Sequence, residues 1–181
     1  MKPATQILSA IYIALISGGA FAGDQGITVE EVIATQKKWG DALVEISTAY
    51  DNEGPEAARD IAISAIDALY NFDGGSVFFK PTLAQEPQRF RSTKEGTLAY
   101  FIGDNPEFPQ DSGFALMGWR DVAFTDALIF TDNNIGLSMG DVTFTDTEGN
   151  TVSVDKTWGF QKQDNGEVKM IIHHSSLPYT E

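Results

Sequence analysis

The chain has 181 residues, two histidines, no cysteine and a formal net charge of −14 at neutral pH. That length suits one domain with a proper core, and the missing thiols exclude disulfides, thiolate metal centres and a cysteine nucleophile. The acidic balance makes nucleic acid and anionic membrane surfaces poor partners, so no nucleic-acid role is expected; scattered through turns and helices, these charges read as a solvated folded surface.

Residues 1–22 read as a secretory signal. Lys2 supplies a thin positive start, Ile7 to Ile16 a short apolar run, and Ala20-Phe21-Ala22 the small-x-small pattern that places cleavage near Ala22. The run is too short to span a bilayer. The expectation is a periplasmic or secreted protein, free of the membrane after cleavage, with residues 23–181 forming one domain.

Thr28 fits an N-cap, with Glu30 and Glu31 in the first turn where negative charge suits the helix dipole. Val29, Val32, Gln36, Trp39, Leu43, Ile46 and Tyr50 then recur every three or four residues, which predicts a long amphipathic helix. Pro55 is placed to open a second helix with Ala58, Ile61, Ala65 and Leu69 on its apolar face. Both stripes read as ordinary core. Val77 to Lys80 predicts a short strand closed by Pro81, and Ser92 or Thr93 can cap a third helix carrying Leu98, Tyr100 and Phe101. Pro106 to Gly113 is a loop long enough to cover a site.

From Trp119 the period changes to two. Strands are predicted over Val122 to Phe130, with a bulge near Asp126, then over Ile135 to Phe144, Val152 to Phe160 and Val168 to Ser175, with turns at Asp132-Asn133-Asn134, Glu148-Gly149-Asn150 and Asp164-Asn165-Gly166. Helices followed by an antiparallel meander make the fold class α+β.

The last strand holds both histidines, in the run Met170-Ile171-Ile172-His173-His174-Ser175-Ser176. Side chains alternate faces along a strand, so His173 and Ser175 share one face, and His174 and Ser176 the other. Burying an imidazole and a hydroxyl costs free energy unless they find partners, which points to a polar pocket; the alternative is a strand end fraying into solvent. Two adjacent histidines on opposite faces cannot reach one ion, which speaks against a catalytic zinc. Phosphate loops, dinucleotide fingerprints and a nucleophile elbow are absent from the sequence. What remains is a hydroxyl and imidazole set, Thr82, Tyr100, His173 and Ser175, whose chemistry is hydrogen bonding to a small oxyanion or polarised carbonyl. His173 adds a group with an ordinary pKa near ~6.5. Tyr100 could serve as a base only if its pKa fell from about 10, with Lys80 or Arg91 as the available cations.

Phe78-Phe79-Lys80-Pro81-Thr82-Leu83-Ala84, Tyr100-Phe101-Ile102-Gly103-Asp104-Asn105-Pro106-Glu107-Phe108-Pro109, Gly113-Phe114-Ala115 and His173-His174-Ser175-Ser176-Leu177-Pro178-Tyr179 together resemble the iota-class carbonic anhydrases. The C-terminal hairpin also resembles the association domain of calcium/calmodulin-dependent protein kinase, of the nuclear transport factor superfamily. The resemblance implies N-terminal helices packed on a strongly curved antiparallel sheet (a cystatin-like cone), a homodimer, and reversible hydration of CO2 to bicarbonate. It further implies that Thr82, Tyr100, His173 and Ser175 hold the substrate, with no metal in part of the class and manganese in some members. Two rival readings stand beside it. One is a non-catalytic small-ligand-binding or oligomerisation module of the same fold. The other is an isomerase of the ketosteroid type, for which Asp121, Asp126 or Asp141 would supply the buried base.

Overall fold

The computed structural model describes residues 26–75 and 77–180, apart from the side chains of Asp126 and Ala127; the expected signal segment and the Asp126 carboxyl lie outside the described residues. Helix α1, Val29–Glu53, begins with the capping box its sequence announces: Thr28 Oγ1 accepts from Glu31 N at 3.2 Å while Glu31 Oε2 accepts from Thr28 N at 2.9 Å. It ends at Gly54, whose φ of 98° lies where a Cβ would be strained and whose N–H donates to the Ala49 and Tyr50 carbonyls. Pro55 opens helix α2, Pro55–Leu69, so one glycine and one proline turn the chain into a helical hairpin. Strand β1, Phe78–Lys80, follows, and then helix α3, Lys94–Ile102, capped by Thr93 through Gly96 N.

A 3-10 turn, Phe114–Leu116, leads into the meander β2 (Trp119–Asp132), β3 (Ile135–Asp146), β4 (Thr151–Lys162) and β5 (Val168–Ser176). The sheet order is β1-β5-β4-β3-β2. The four meander strands pair antiparallel, but β1 runs parallel to β5 with Phe79 opposite His173, so the sheet expected to be wholly antiparallel is mixed. The physical reason is connectivity: most of the domain separates β1 from β5, so no hairpin dictates their relative direction. Register shifts between Thr125 and Leu128, at the bulge expected near Asp126, and between Gly159 and Phe160 bend the long strands around the helices.

The core lies between the helices and one face of the sheet. Trp39 and Leu43 of α1, Ala62 and Ile66 of α2, and Phe144, Trp158 and Phe160 of the meander are almost fully buried. Gly40 lets α1 sit directly on β2, since a Cβ there would lie 3.1 Å from the Val122 Cβ. The loop before the 3-10 turn is anchored by a buried ion pair: Arg91 donates to both Asp111 carboxylate oxygens at 2.8 and 3.0 Å, and each side chain is 3% exposed. The guanidinium also donates to the Gly96 carbonyl at 3.1 Å and lies 4.4 Å over the Phe108 ring. Removing one member of such a pair leaves an uncompensated buried charge. Asp111→Ala is therefore expected to lower the unfolding free energy by about 3–5 kcal/mol, read from the urea midpoint; a loss within ~0.5 kcal/mol, the range of ordinary surface changes, would contradict this anchoring role.

Candidate active site

Between α1, α3 and strands β1, β4 and β5 lies a narrow cavity. Its polar lining is Thr82, Tyr100, Lys156, His173 and Ser175, set among the rings of Trp39, Phe79, Phe101 and Phe114. The four residues singled out from sequence thus meet around one hollow. Strand parity is resolved too: His173 and Ser175 are each 1% exposed, whereas His174 faces solvent.

The parallel pairing of β1 with β5 puts Phe79 beside His173 and Lys80 beside His174, and the chain turning at Pro81 carries Thr82 onto Ser175. Their hydroxyls are 2.5 Å apart, and the Lys80 ammonium donates to the Ser175 carbonyl at 2.8 Å. Tyr100 reaches the cavity from α3, its ring stacked on Phe114 at 5.4 Å and edge-on to Phe79 at 5.6 Å. Its hydroxyl is buried and, as a donor, meets no acceptor in hydrogen-bond geometry among the described residues, although the Leu83 backbone and the Thr82 hydroxyl lie close to its oxygen. Burial pushes the Tyr100 pKa upward; the Leu83 backbone and the Thr82 hydroxyl only partly offset this. Tyr100 is therefore a donor, and the lowered pKa that a base role required is reversed. Of the cations named from sequence, Arg91 lowers it only in part, because its partner Asp111 raises it in return, and Lys80 is engaged with the Ser175 carbonyl.

His173 lies flat on Trp158, with ring centroids 4.3 Å apart. Both of its ring nitrogens are engaged, Nδ1 with Tyr70 Oη at 2.8 Å and Nε2 with Lys156 Nζ at 2.6 Å. Trp39 Nε1 donates to the same Tyr70 oxygen at 3.0 Å. Proton accounting fixes the tautomer. The Tyr70 oxygen already accepts from Trp39, and its own hydrogen has one acceptor among the described residues, His173 Nδ1. A neutral imidazole then carries its hydrogen on Nε2 and donates to Lys156, which can accept only as an uncharged amine. Burial drives the Lys156 pKa far below its ordinary value. The His173 pKa is also held well down, first by burial and then by the neighbouring Lys156 and His174. Tyr70 is pushed up by burial, so it stays a phenol.

Lys156, Tyr70 and Trp39 escaped the sequence reading as site residues. One signal was available: Val154, Lys156, Trp158 and Phe160 occupy one face of β4, so a lysine stands at a core position. Tyr70 and Trp39 gave none, since each reads as an ordinary core aromatic.

A family model described as metal-independent carbonic anhydrase matches residues 30–177. The chain belongs to that family. It is 46% identical over 190 aligned positions to the metal-independent carbonic anhydrase of Nostoc sp. (strain PCC 7120), covering 97% of this chain and 93% of that one. The crystal structure of a cyanobacterial iota-carbonic anhydrase complexed with bicarbonate superposes with a TM-score of 0.85 at 51% identity, over 86% of this chain and 95% of that one. A putative calcium/calmodulin-dependent protein kinase II association domain from Xanthomonas campestris shares the fold alone, with a TM-score of 0.56 at 22% identity, over 86% and 91% of the two chains.

For this carbonic anhydrase family member, manganese is a poor fit. That ion favours carboxylate and water oxygens with imidazole. The cavity lining has no carboxylate, both nitrogens of its imidazole are engaged, and no three His, Asp or Glu side chains converge among the described residues. The family's metal-independence agrees with this donor set. Two of the three carboxylates named for the isomerase alternative do not serve it: Asp121 is exposed and Asp141 does not line this narrow cavity, while the Asp126 carboxyl lies outside the described residues.

The uncharged lysine has a consequence for stability. The unfolded chain takes up a proton on Lys156 at an ordinary pKa of 10.5, while burial holds the native pKa well below that, so stability rises with pH toward that value. His173 acts in the same sense below its ordinary 6.5, and the two buried tyrosines oppose it only above about 10. The melting temperature is expected to climb from pH 7 to pH 9.5 and to drop below pH 6. In Lys156→Met the rise above pH 7 should flatten. A native profile flat from pH 7 to pH 9.5 would mean a charged Lys156.

Proposed function

We propose that this cavity hydrates CO2 reversibly to bicarbonate without a metal, with Thr82, Tyr100, His173 and Ser175 holding the substrate. The observation that carries the reading is the Tyr100 hydroxyl, a buried donor with no acceptor among the described residues, lining a narrow cavity beside Thr82, His173 and Ser175. An unmade buried hydrogen bond costs about 1–3 kcal/mol, a cost relieved when a ligand oxygen accepts it. A close structural relative was crystallised with bicarbonate, an anion whose three oxygens suit such donors.

Zinc enzymes generate the nucleophile by lowering the pKa of a bound water to about 7. Here the chain's own groups perform the corresponding tasks. Water attacks the carbon of CO2, and one C=O electron pair moves onto oxygen. The Tyr100 hydroxyl and the Thr82–Ser175 pair donate to the oxygens where charge grows, and the aromatic walls keep bulk water away, so these neutral donors act at full strength. His173 is orienting: locked by Tyr70 and stacked on Trp158, it fixes the Lys156 side of the cavity.

Removing one such donor is worth roughly 10²–10³ in kcat. Tyr100→Phe and Thr82→Val are each expected to lose about that factor in stopped-flow CO2 hydration, while the native protein keeps its rate after exhaustive chelation. A native protein inactive both after chelation and with added manganese or zinc would leave the binding-module reading in place.

The chain is further proposed to be exported, with cleavage near Ala22, and to act as a homodimer. A row of apolar residues crosses the outer sheet face in register, from Phe130 through Leu137, Gly159 and Ile172 to Phe78, with Leu128 and Met139 in the next row. Phe78, Phe130 and Leu128 are 66%, 60% and 74% exposed, a patch that supports a self-complementary interface. Leu137→Asp is expected to give a folded monomer in light scattering; an unchanged mass would place any dimer contact elsewhere.

A further inference from the structure

Hydrating CO2 turns two neutral molecules into an anion and a proton. In a dry cavity the anion is costly unless positive charge appears beside it, and the proton needs an acceptor. We infer that Lys156 serves both needs: its uncharged amine accepts the proton lost by the attacking water, and the resulting ammonium pairs with bicarbonate. This rests on the hydration reading above and supplies the step it leaves without a residue.

Geometry singles out this amine. Lys156 stands opposite Ser175 in the β4–β5 pairing and lines the same cavity as Thr82 and Tyr100. It is 3% exposed and forms no ion pair among the described residues. The titratable groups facing it are His173 from β5, Tyr70 at the end of α2 and Tyr100 from α3. The Arg91–Asp111 pair is internally neutralised, and Asp155, Lys80 and His174 are not among the cavity's lining. No fixed negative charge therefore holds the lysine protonated at rest. A berth for the ammonium exists all the same, because its nitrogen lies 4.3 Å from the centre of the Trp39 ring, 5.0 Å from Trp158 and 5.7 Å from Phe144. Aromatic faces stabilise a cation once it forms without demanding one beforehand.

The other bases are excluded. The one imidazole lone pair of His173, on Nδ1, accepts from Tyr70 on the side away from Lys156, and its Nε2 already carries a hydrogen. Tyr100 is a donor. Thr82 and Ser175 are alcohols bonded to each other. The step balances as follows. A water oxygen lone pair forms the new C–O bond, one C=O π pair moves to oxygen, the water O–H bond breaks with its electrons left on oxygen, and the proton goes to the Nζ lone pair. Once that lone pair is filled, the His173 Nε2–H loses its acceptor and is free to donate to the bicarbonate beside it. The cavity is neutral before and after the step. Bicarbonate then leaves, and Lys156 returns its proton to buffer.

The decisive measurement is proton uptake on bicarbonate binding to the native protein at pH 8, taken from calorimetry in two buffers of different ionisation heat. Uptake of about one proton per site is expected, and binding without uptake overturns the inference whether or not any variant folds. Lys156→Met keeps length and apolar fit; with native circular dichroism, its hydration rate should fall by ~10² or more, the scale of lost proton transfer. Lys156→Arg, which cannot be deprotonated, should bind bicarbonate with no uptake and fail to turn over. A Lys156→Met variant within about threefold of native activity, far inside the ~10² expected of a lost base, would sink the Lys156 assignment while leaving the hydration reading intact. A native protein that hydrates no CO2 would sink both.

Discussion

A lysine buried among aromatic rings without a carboxylate is the constraint on which the rest of this structure turns. Burial drives an amine in that position toward its uncharged form, and an uncharged amine must have its lone pair satisfied or left for chemistry. At rest the His173 Nε2–H satisfies it and yields when the amine takes a proton, and His173 in turn is fixed by Tyr70, which accepts from Trp39. These four residues come from β4, β5, the C-cap of α2 and the middle of α1. Helix α2 therefore has to stop where it does: Tyr70 is extended, its N–H still donating to the Ile66 carbonyl, and the next amide, Asn71, already donates to Met170 of β5 at 3.0 Å. The helical hairpin is locked onto the sheet by a hydrogen-bond chain that ends in the cavity.

The opposite wall has a different origin. Two of its hydroxyls, Thr82 and Tyr100, come from the segment between α2 and β2, which contributes one three-residue strand, one short helix and the 3-10 turn, and Ser175 joins them from β5. That segment is held at its two edges, by the parallel pairing of β1 with β5 and by the Arg91–Asp111 pair that ties its loops together. The two walls divide the chemistry. The meander and long helices supply the basic group, its supporting network and the Ser175 hydroxyl, and the inserted segment supplies Thr82 and Tyr100.

Metal-free hydration makes this division intelligible. A zinc ion would provide the nucleophile, the counter-charge and the orientation at one point in space. Without it, those duties spread over groups that carry no net charge at rest, and a dry pocket with fixed dipoles is where uncharged donors are strongest. The cavity is narrow and walled by rings, which disfavours bulky carbonyl substrates.

Local patterning in the sequence was enough to determine the helices, their caps, the meander and its turns, because capping, proline placement and two-residue alternation act over a few residues. Motif resemblance was enough to name Thr82, Tyr100, His173 and Ser175. Which histidine faces inward was not decidable from alternation alone, since parity gives two faces and no label for either. The parallel placement of β1, the bond between Thr82 and Ser175, and the orphaned Tyr100 hydroxyl depend on contacts between segments more than 70 residues apart for the β1–β5 and Thr82–Ser175 pairs. Lys156 shows the boundary most sharply. Its place on the core face of β4 could be read in the sequence, but its lost charge could not, because a pKa is set by the desolvation and neighbours that only the closed fold assembles.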